Sequence, residues 1–132
     1  MAKERESWYA FDFDGSIACY DEYSSPTDVG EPLGIDKMDS AFNILLGYLE
    51  QGKKCKIFTA RAEFPESVKA IKEWCKKYLG CELEVTNKKD FAMICGYDDR
   101  FIGVDSETGM PWQKIRKVDT LPHWEHRERT LP

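Results

Sequence analysis

Apolar residues fall in short runs that stop at polar ones, separated by longer stretches with a helical repeat. Residues 7–13 (SWYAFDF) are aromatic-rich and end at Asp14-Gly15, which predicts a first strand and a turn. The segment 16–35 holds Pro26, Gly30, Pro32 and Gly34 among polar residues and reads as a long loop, of the length that usually marks a functional lid or disorder. In DKMDSAFNILLGYLEQG, Met38, Ala41, Phe42, Leu45, Leu46 and Leu49 share one face of a helix, with Asp36 as the expected N-cap and Gly52 at the C-terminal stop. KKCKIFTA (53–60) turns from basic to apolar, a second strand ending at Thr59. A second helix follows, entered at Pro65, with Val68, Ile71, Trp74, Cys75, Tyr78 and Leu79 at helical spacing before Gly80. CELEVT (81–86) alternates as a short strand, AMICGY (92–97) is an apolar run ending at Asp98-Asp99, and FIGV (101–104) is a candidate for one more. Parallel neighbours need crossover connections, so this order predicts an α/β domain with a mostly parallel sheet.

The size and balance of the chain narrow the picture. It has 132 residues, 42% hydrophobic and 33% charged, enough for one core, and a single domain is expected over 1–132. A formal net charge of -5 argues against indiscriminate nucleic-acid coating, which relies on excess Lys and Arg. Cys19, Cys55, Cys75, Cys81 and Cys95 are odd in number and lack CxxC spacing, which reads as reduced thiols in a cytoplasmic protein. MAKERESWYA has no apolar signal core, and no window approaches the ~20 apolar residues of a spanning helix, so no membrane partner is expected. The tail, with Pro111, Trp112, Pro122, Trp124 and HWEHRER, shows no period.

The polar residues converge. Asp12 and Asp14 end strand 1, Thr59 ends strand 2, Lys88 and Lys89 follow strand 3, and Asp98 and Asp99 end strand 4. In an open parallel sheet the carboxyl ends share one edge, where ligand crevices form. Several carboxylates together need a cation, and an all-oxygen set suits Mg²⁺, which takes a substrate phosphate as a further ligand. A lysine and a threonine hydroxyl remain for phosphate oxygens. Phosphoryl transfer asks for little beyond these groups.

DFDGS, IFTAR, VTNKKDF and GYDDR, in this order at strand ends, resemble the four motifs of the haloacid dehalogenase (HAD) superfamily of aspartyl phosphatases. TNKKDFAMICGYDDRFIGV, with GEPLG upstream, is similar to the small HAD-type hydrolases commonly encoded by phages and prophages. The resemblance covers about residues 7–109 and leaves the tail, 110–132, unmatched. It implies a Rossmann-like three-layer α/β/α domain, without a separate cap domain because the inserts after strands 1 and 2 are short. It also implies Asp12 as the nucleophile that becomes an aspartyl phosphate and Asp14 as general acid, then base. Mg²⁺ would be held by the Asp12 carboxylate, the Asp14 backbone carbonyl and Asp98, with Asp99 auxiliary. Thr59 would bind the transferring phosphoryl and Lys89 would clamp it, with Lys88 as the alternative. The expected reaction is hydrolysis of a phosphate monoester. The acid at position 14 matters, because the resembling phosphatases carry one there and the dehalogenases do not. Ser16 stands where the family usually has Thr or Val, and one residue more than the pattern separates Lys89 from Asp98, which predicts a bulge.

Each residue also has a plainer reading. Asp12 alone is a turn cap, Arg61 reads as a surface ion pair, and Lys69, Lys72, Lys76 and Lys77 as a solvated helix face. Asp105 and Glu107 fit an exposed turn, and His123 and His126 have no companion ligands. A catalytically weak HAD-like protein binding a phosphorylated ligand or a partner is the alternative to an enzyme. A signalling receiver fits poorly, since strand 3 ends in Thr86-Asn87 with no Asp before Lys88. Nucleotides or nucleic-acid termini are plausible substrates for an open site, and a sugar phosphate fits no worse. The GxxxxGK[ST] loop of a kinase is missing.

Overall fold

In the computed structural model, which describes residues 6–19 and 25–112, two helices alternate with four strands. The elements are β1 (Trp8–Phe11), α1 (Ala41–Glu50), β2 (Cys55–Phe58), α2 (Pro65–Leu79), β3 (Val85–Thr86) and β4 (Met93–Tyr97), with a 3₁₀ turn at Ala60–Glu63 after β2. The sheet order is β3-β2-β1-β4 and every pairing is parallel. The chain packs as two compact units, Met1–Tyr97 and Asp98–Pro132; the first holds all of these elements.

Side-chain alternation on β1 shows how the first unit is built. Tyr9 and Phe11 both meet Tyr48 of α1, with ring centroids 4.5 and 6.0 Å apart. Beyond the strand, Phe13 packs edge-on against Trp74 of α2 at 4.9 Å, and Phe42 of α1 meets the same indole at 6.0 Å. Both helices therefore lie on one face, as right-handed crossovers require when β1, β2 and β3 are laid down in one direction. The step from β3 to β4 reverses direction, and residues 87–92 make it without a helix. Six extended residues reach ~20 Å, more than the roughly 14 Å of three strand spacings. This segment is pinned on the opposite face, where Trp8 Nε1 donates to Asp90 Oδ1 at 2.8 Å.

The bulge expected before Asp98 is present. Trp8 pairs with Met93 but Tyr9 pairs with Cys95, so Ile94 is the extra residue, and it is exposed. Helix α2 runs as its pattern predicts, from Pro65 in its first turn to Gly80 in the left-handed conformation (φ 80°).

Other boundaries differ from the sequence reading. Helix α1 starts at Ala41, and its cap is Ser40, whose hydroxyl accepts the Asn43 N–H, rather than Asp36. The Asn43 amide donates to the Ile35 and Lys37 carbonyls, which holds 35–37 in a turn and leaves Met38 87% exposed instead of on the buried face. Strand β3 keeps only two residues of CELEVT, and FIGV forms no strand beyond a single bridge from Val104 to Pro111. The long loop is partly ordered as a ladder: Leu33 N–H donates to Ile17 O and Cys19 N–H to Glu31 O, so 17–19 and 31–33 run side by side. Gly30 is required there, since an added Cβ would lie 2.2 Å from the Cys19 carbonyl oxygen.

Of the five thiols, Cys55 and Cys75 are buried and Cys81 and Cys95 exposed, and none is in a disulfide. In the second unit, Asp105 accepts the Glu107 and Thr108 amides in the turn expected there. Trp124, His123 and His126 lie outside the described residues.

Candidate functional site

Strand β1 lies between β2 and β4, so its carboxyl end opens into the middle of one sheet edge. Phe11 pairs with Ile57 on one side and Tyr97 on the other. The Asp12 N–H, the next along, donates to the Tyr97 carbonyl at 2.9 Å. Stacking of Phe11 on Tyr97 (4.8 Å, 10°) and the Tyr48–Tyr97 hydroxyl bond of 2.9 Å secure this junction. That hydroxyl bond, with burial second, pushes the Tyr97 phenol above its ordinary range.

After Asp12 the chain folds tightly. The N–H groups of Ser16, Ile17 and Ala18 all donate to the Phe13 carbonyl, and Gly15 takes φ +84° to allow it. This brings Ser16 back so that its hydroxyl donates to Asp12 Oδ2 at 3.1 Å. One oxygen of the proposed nucleophile thereby has a set orientation.

Asp14 is paired with Arg61. Nη1 of the guanidinium lies 3.1 and 3.2 Å from the two carboxylate oxygens, and the side chains are 19% and 5% exposed. Arg61 is thus buried, not a surface group, and each of its nitrogens is hydrogen-bonded inside the fold: beside Nη1, Nη2 bonds the carbonyls of Pro26 and Asp28, and Nε bonds Ser67 Oγ. Charge is tolerated in such a place only when paired and hydrogen-bonded. Neither Arg61 nor Ser67 stood out as a site residue. The signal was the position of Arg61 two residues after Thr59, which a strand-end motif carries to the same edge as Asp14.

Thr59 is buried and extended, and caps the 3₁₀ turn by accepting the Arg61 N–H at 3.2 Å; a hydroxyl that accepts in this way can still donate. Lys88 and Lys89 are both exposed. The Lys88 N–H bonds Thr86 Oγ1 at the carboxyl end of β3, whereas Asp90, just after Lys89, is already bonded to the Trp8 indole. Asp98 and Asp99 follow Tyr97 directly and open the second unit. Asp98 Oδ1 accepts the Arg100 N–H at 2.8 Å; burial raises its carboxyl above the usual range, Asp99 adds to the rise, and Arg100 opposes it.

A groove of about 530 Å³ along α2 is lined by Lys69, Lys72 and Lys76, but Glu73 and Glu82 line it too. Its charge is mixed, so it is no phosphate track. Among the described residues, no helix is long and apolar enough to cross a membrane.

No family model matches the chain, and no curated protein matches it. The chain is similar to a solved structure of a conserved protein coded by a locus from Bacteroides thetaiotaomicron, with a TM-score of 0.54 and 22% identity over 88% of this chain and 94% of that one. At that identity the likeness speaks for the fold alone. It agrees with a small Rossmann-like α/β domain, the class that the all-parallel sheet and its two helices define.

Proposed function

We propose that the protein is a Mg²⁺-dependent phosphohydrolase that cleaves phosphate monoesters through an aspartyl phosphate on Asp12. The observation that carries this reading is the placement of Asp12 and Asp14 at the end of a central parallel strand, with Thr59 ending the neighbouring strand and Asp98 following the other neighbour, β4. An Asp12 oxygen attacks phosphorus, the ester P–O bond breaks, and Asp14 gives its proton to the leaving oxygen. Water then attacks the phosphorus, Asp14 takes a proton from it, and the Asp12–phosphorus bond breaks to release inorganic phosphate. Ser16 orients Asp12. Thr59 donates to a phosphoryl oxygen, and a lysine balances its charge. Lys89 is the lysine proposed for that role, with Lys88, whose N–H bonds Thr86 Oγ1, as the alternative.

The donor set fits the metal: the Asp12 carboxylate, the Asp14 carbonyl and Asp98 are all hard oxygens, Asp99 is adjacent, and the raised Asp98 carboxyl is the kind of desolvated acid that a cation relieves. When bound, the ion would neutralise phosphoryl charge. The substrate class is a phosphorylated small molecule, nucleotide or nucleic-acid terminus. Buried free thiols at Cys55 and Cys75 suit a reducing, cytoplasmic setting.

A second reading, a weak enzyme or a binder of phosphorylated ligands, is favoured by one observation: Arg61 engages both oxygens of Asp14. Release of p-nitrophenol from its phosphate ester separates the two readings. We expect turnover with Mg²⁺, loss with excess EDTA, and none from Asp12→Asn. Turnover that persists in Asp12→Asn contradicts the mechanism, and a silent wild-type protein, given a wider panel of nucleotides, phosphorylated oligonucleotides and sugar phosphates, supports the binder.

A further inference from the structure

We infer that Arg61 is the positioning residue for Asp14 and ties its carboxylate to the 26–28 segment of the loop after β1; this rests on the phosphohydrolase reading above. A guanidinium carries five N–H donors in a rigid plane. Those used here are on all three nitrogens: Nη1 bonds both oxygens of the Asp14 carboxylate (3.1 and 3.2 Å), Nη2 the Pro26 and Asp28 carbonyls (2.7 Å each), and Nε the Ser67 hydroxyl oxygen (3.4 Å). With all three nitrogens bonded inside the fold and its side chain 5% exposed, Arg61 acts on Asp14 rather than on a phosphoryl group.

The holding is rigid because each partner is itself rooted. Arg61 lies in the 3₁₀ turn capped by Thr59, and its N–H is bound to the Thr59 hydroxyl. Ser67 lies in the first turns of α2, is buried, and also donates its hydroxyl to the Pro26 carbonyl. The acid of strand β1, the end of β2, the start of α2 and the loop therefore meet at one planar group. Lysine has the charge but not the plane, so it cannot restore this set of bonds.

General acid catalysis has a readout that fold stability lacks. p-Nitrophenolate leaves readily without a proton, whereas phenolate, of pKa near 10, gains from one. The two esters are of similar size, and kcat/KM reports steps up to formation of the aspartyl phosphate.

The experiment compares kcat/KM of wild type and Arg61→Lys on p-nitrophenyl phosphate and phenyl phosphate with Mg²⁺, alongside thermal unfolding of each protein. We expect Arg61→Lys to lose about 10²-fold on phenyl phosphate, the scale of a misplaced acid, and only a few-fold on the p-nitrophenyl ester. Equal losses on both esters, unchanged rates, or a gain on either ester would overturn the inference while leaving wild-type phosphatase activity in place. Wild type silent on both esters overturns the phosphohydrolase reading and this inference with it, and wild type active on the p-nitrophenyl ester alone has no working acid to position. If Arg61→Lys shows no cooperative unfolding, Ser67→Ala replaces it: losing only the Nε acceptor, it should show the same split at about tenfold, on the lower side of acid–base effects, and parallel losses again overturn the inference.

Discussion

Asp12 and Asp14 leave β1 two residues apart, yet their surroundings differ: Asp12 accepts from a neutral hydroxyl and Asp14 from a buried cation. Removing the Ser16 hydroxyl frees an orientation without removing a reacting group. Ser16→Ala should therefore lower kcat by about three- to tenfold, from a lost hydrogen bond of about 1 kcal/mol, with KM little changed. A fall as deep as that of Asp12→Asn in steady-state kinetics would put Ser16 in the chemistry itself. For the clamp, Lys89→Ala should lose far more kcat/KM than Lys88→Ala, since the true clamp balances charge in the transition state. The reverse order would give the role to Lys88, and equal mild losses would remove both. The two aspartates were legible because acids at the end of an apolar strand are conspicuous. Arg61 was not, because a basic residue after a strand reads as surface until its acceptors are seen, and these include groups at positions 14, 26, 28 and 67.

At the scale of elements, apolar periodicity located both helices and the order of strands, but ends were decided by side-chain to backbone bonds that periodicity does not carry. Two acids and a serine precede α1, and any of them is a fair cap by type. Ser40 is the cap because Asn43 turns residues 35–37 away from the helix start. Ser40→Ala should then lower stability by about 1 kcal/mol, while Asp36→Ala stays within roughly 0.5 kcal/mol, as read from chemical denaturation. Equal effects would contradict the placement of the cap. The bulge in β4 was legible as a one-residue surplus before Asp98, and it corresponds to Ile94. The shortness of β3 was not, since it depends on pairing only with Ile57 and Phe58 of β2.

For the molecule as a whole, a parallel α/β sheet was legible because aromatic and aliphatic runs alternate with two amphipathic stretches. The packing boundary at Tyr97–Asp98 was not, as no change of composition marks it. The core also sets an alkaline limit. Burial pushes the Cys75 thiol up to about 12 and the Cys55 thiol to about 11, from 9.0 when unburied. A folded pKa above the unfolded one gives stability that is complete below pH 9 and declines as pH rises towards 11 and 12. Denaturation across pH 8–12 should show this decline, and Cys75→Ala should flatten it; an equally steep decline in that variant would mean that other groups govern alkaline unfolding. On the proposed mechanism, one carboxylate oxygen of Asp12 would become bonded to phosphorus. The most direct test is acid quench of the wild-type protein during turnover of p-nitrophenyl phosphate, reduction with borohydride, and mass spectrometry of the peptide containing FDFDGS. Conversion of Asp12 to homoserine is the predicted result; conversion at Asp14 or elsewhere, or none while phosphate is being released, would contradict it.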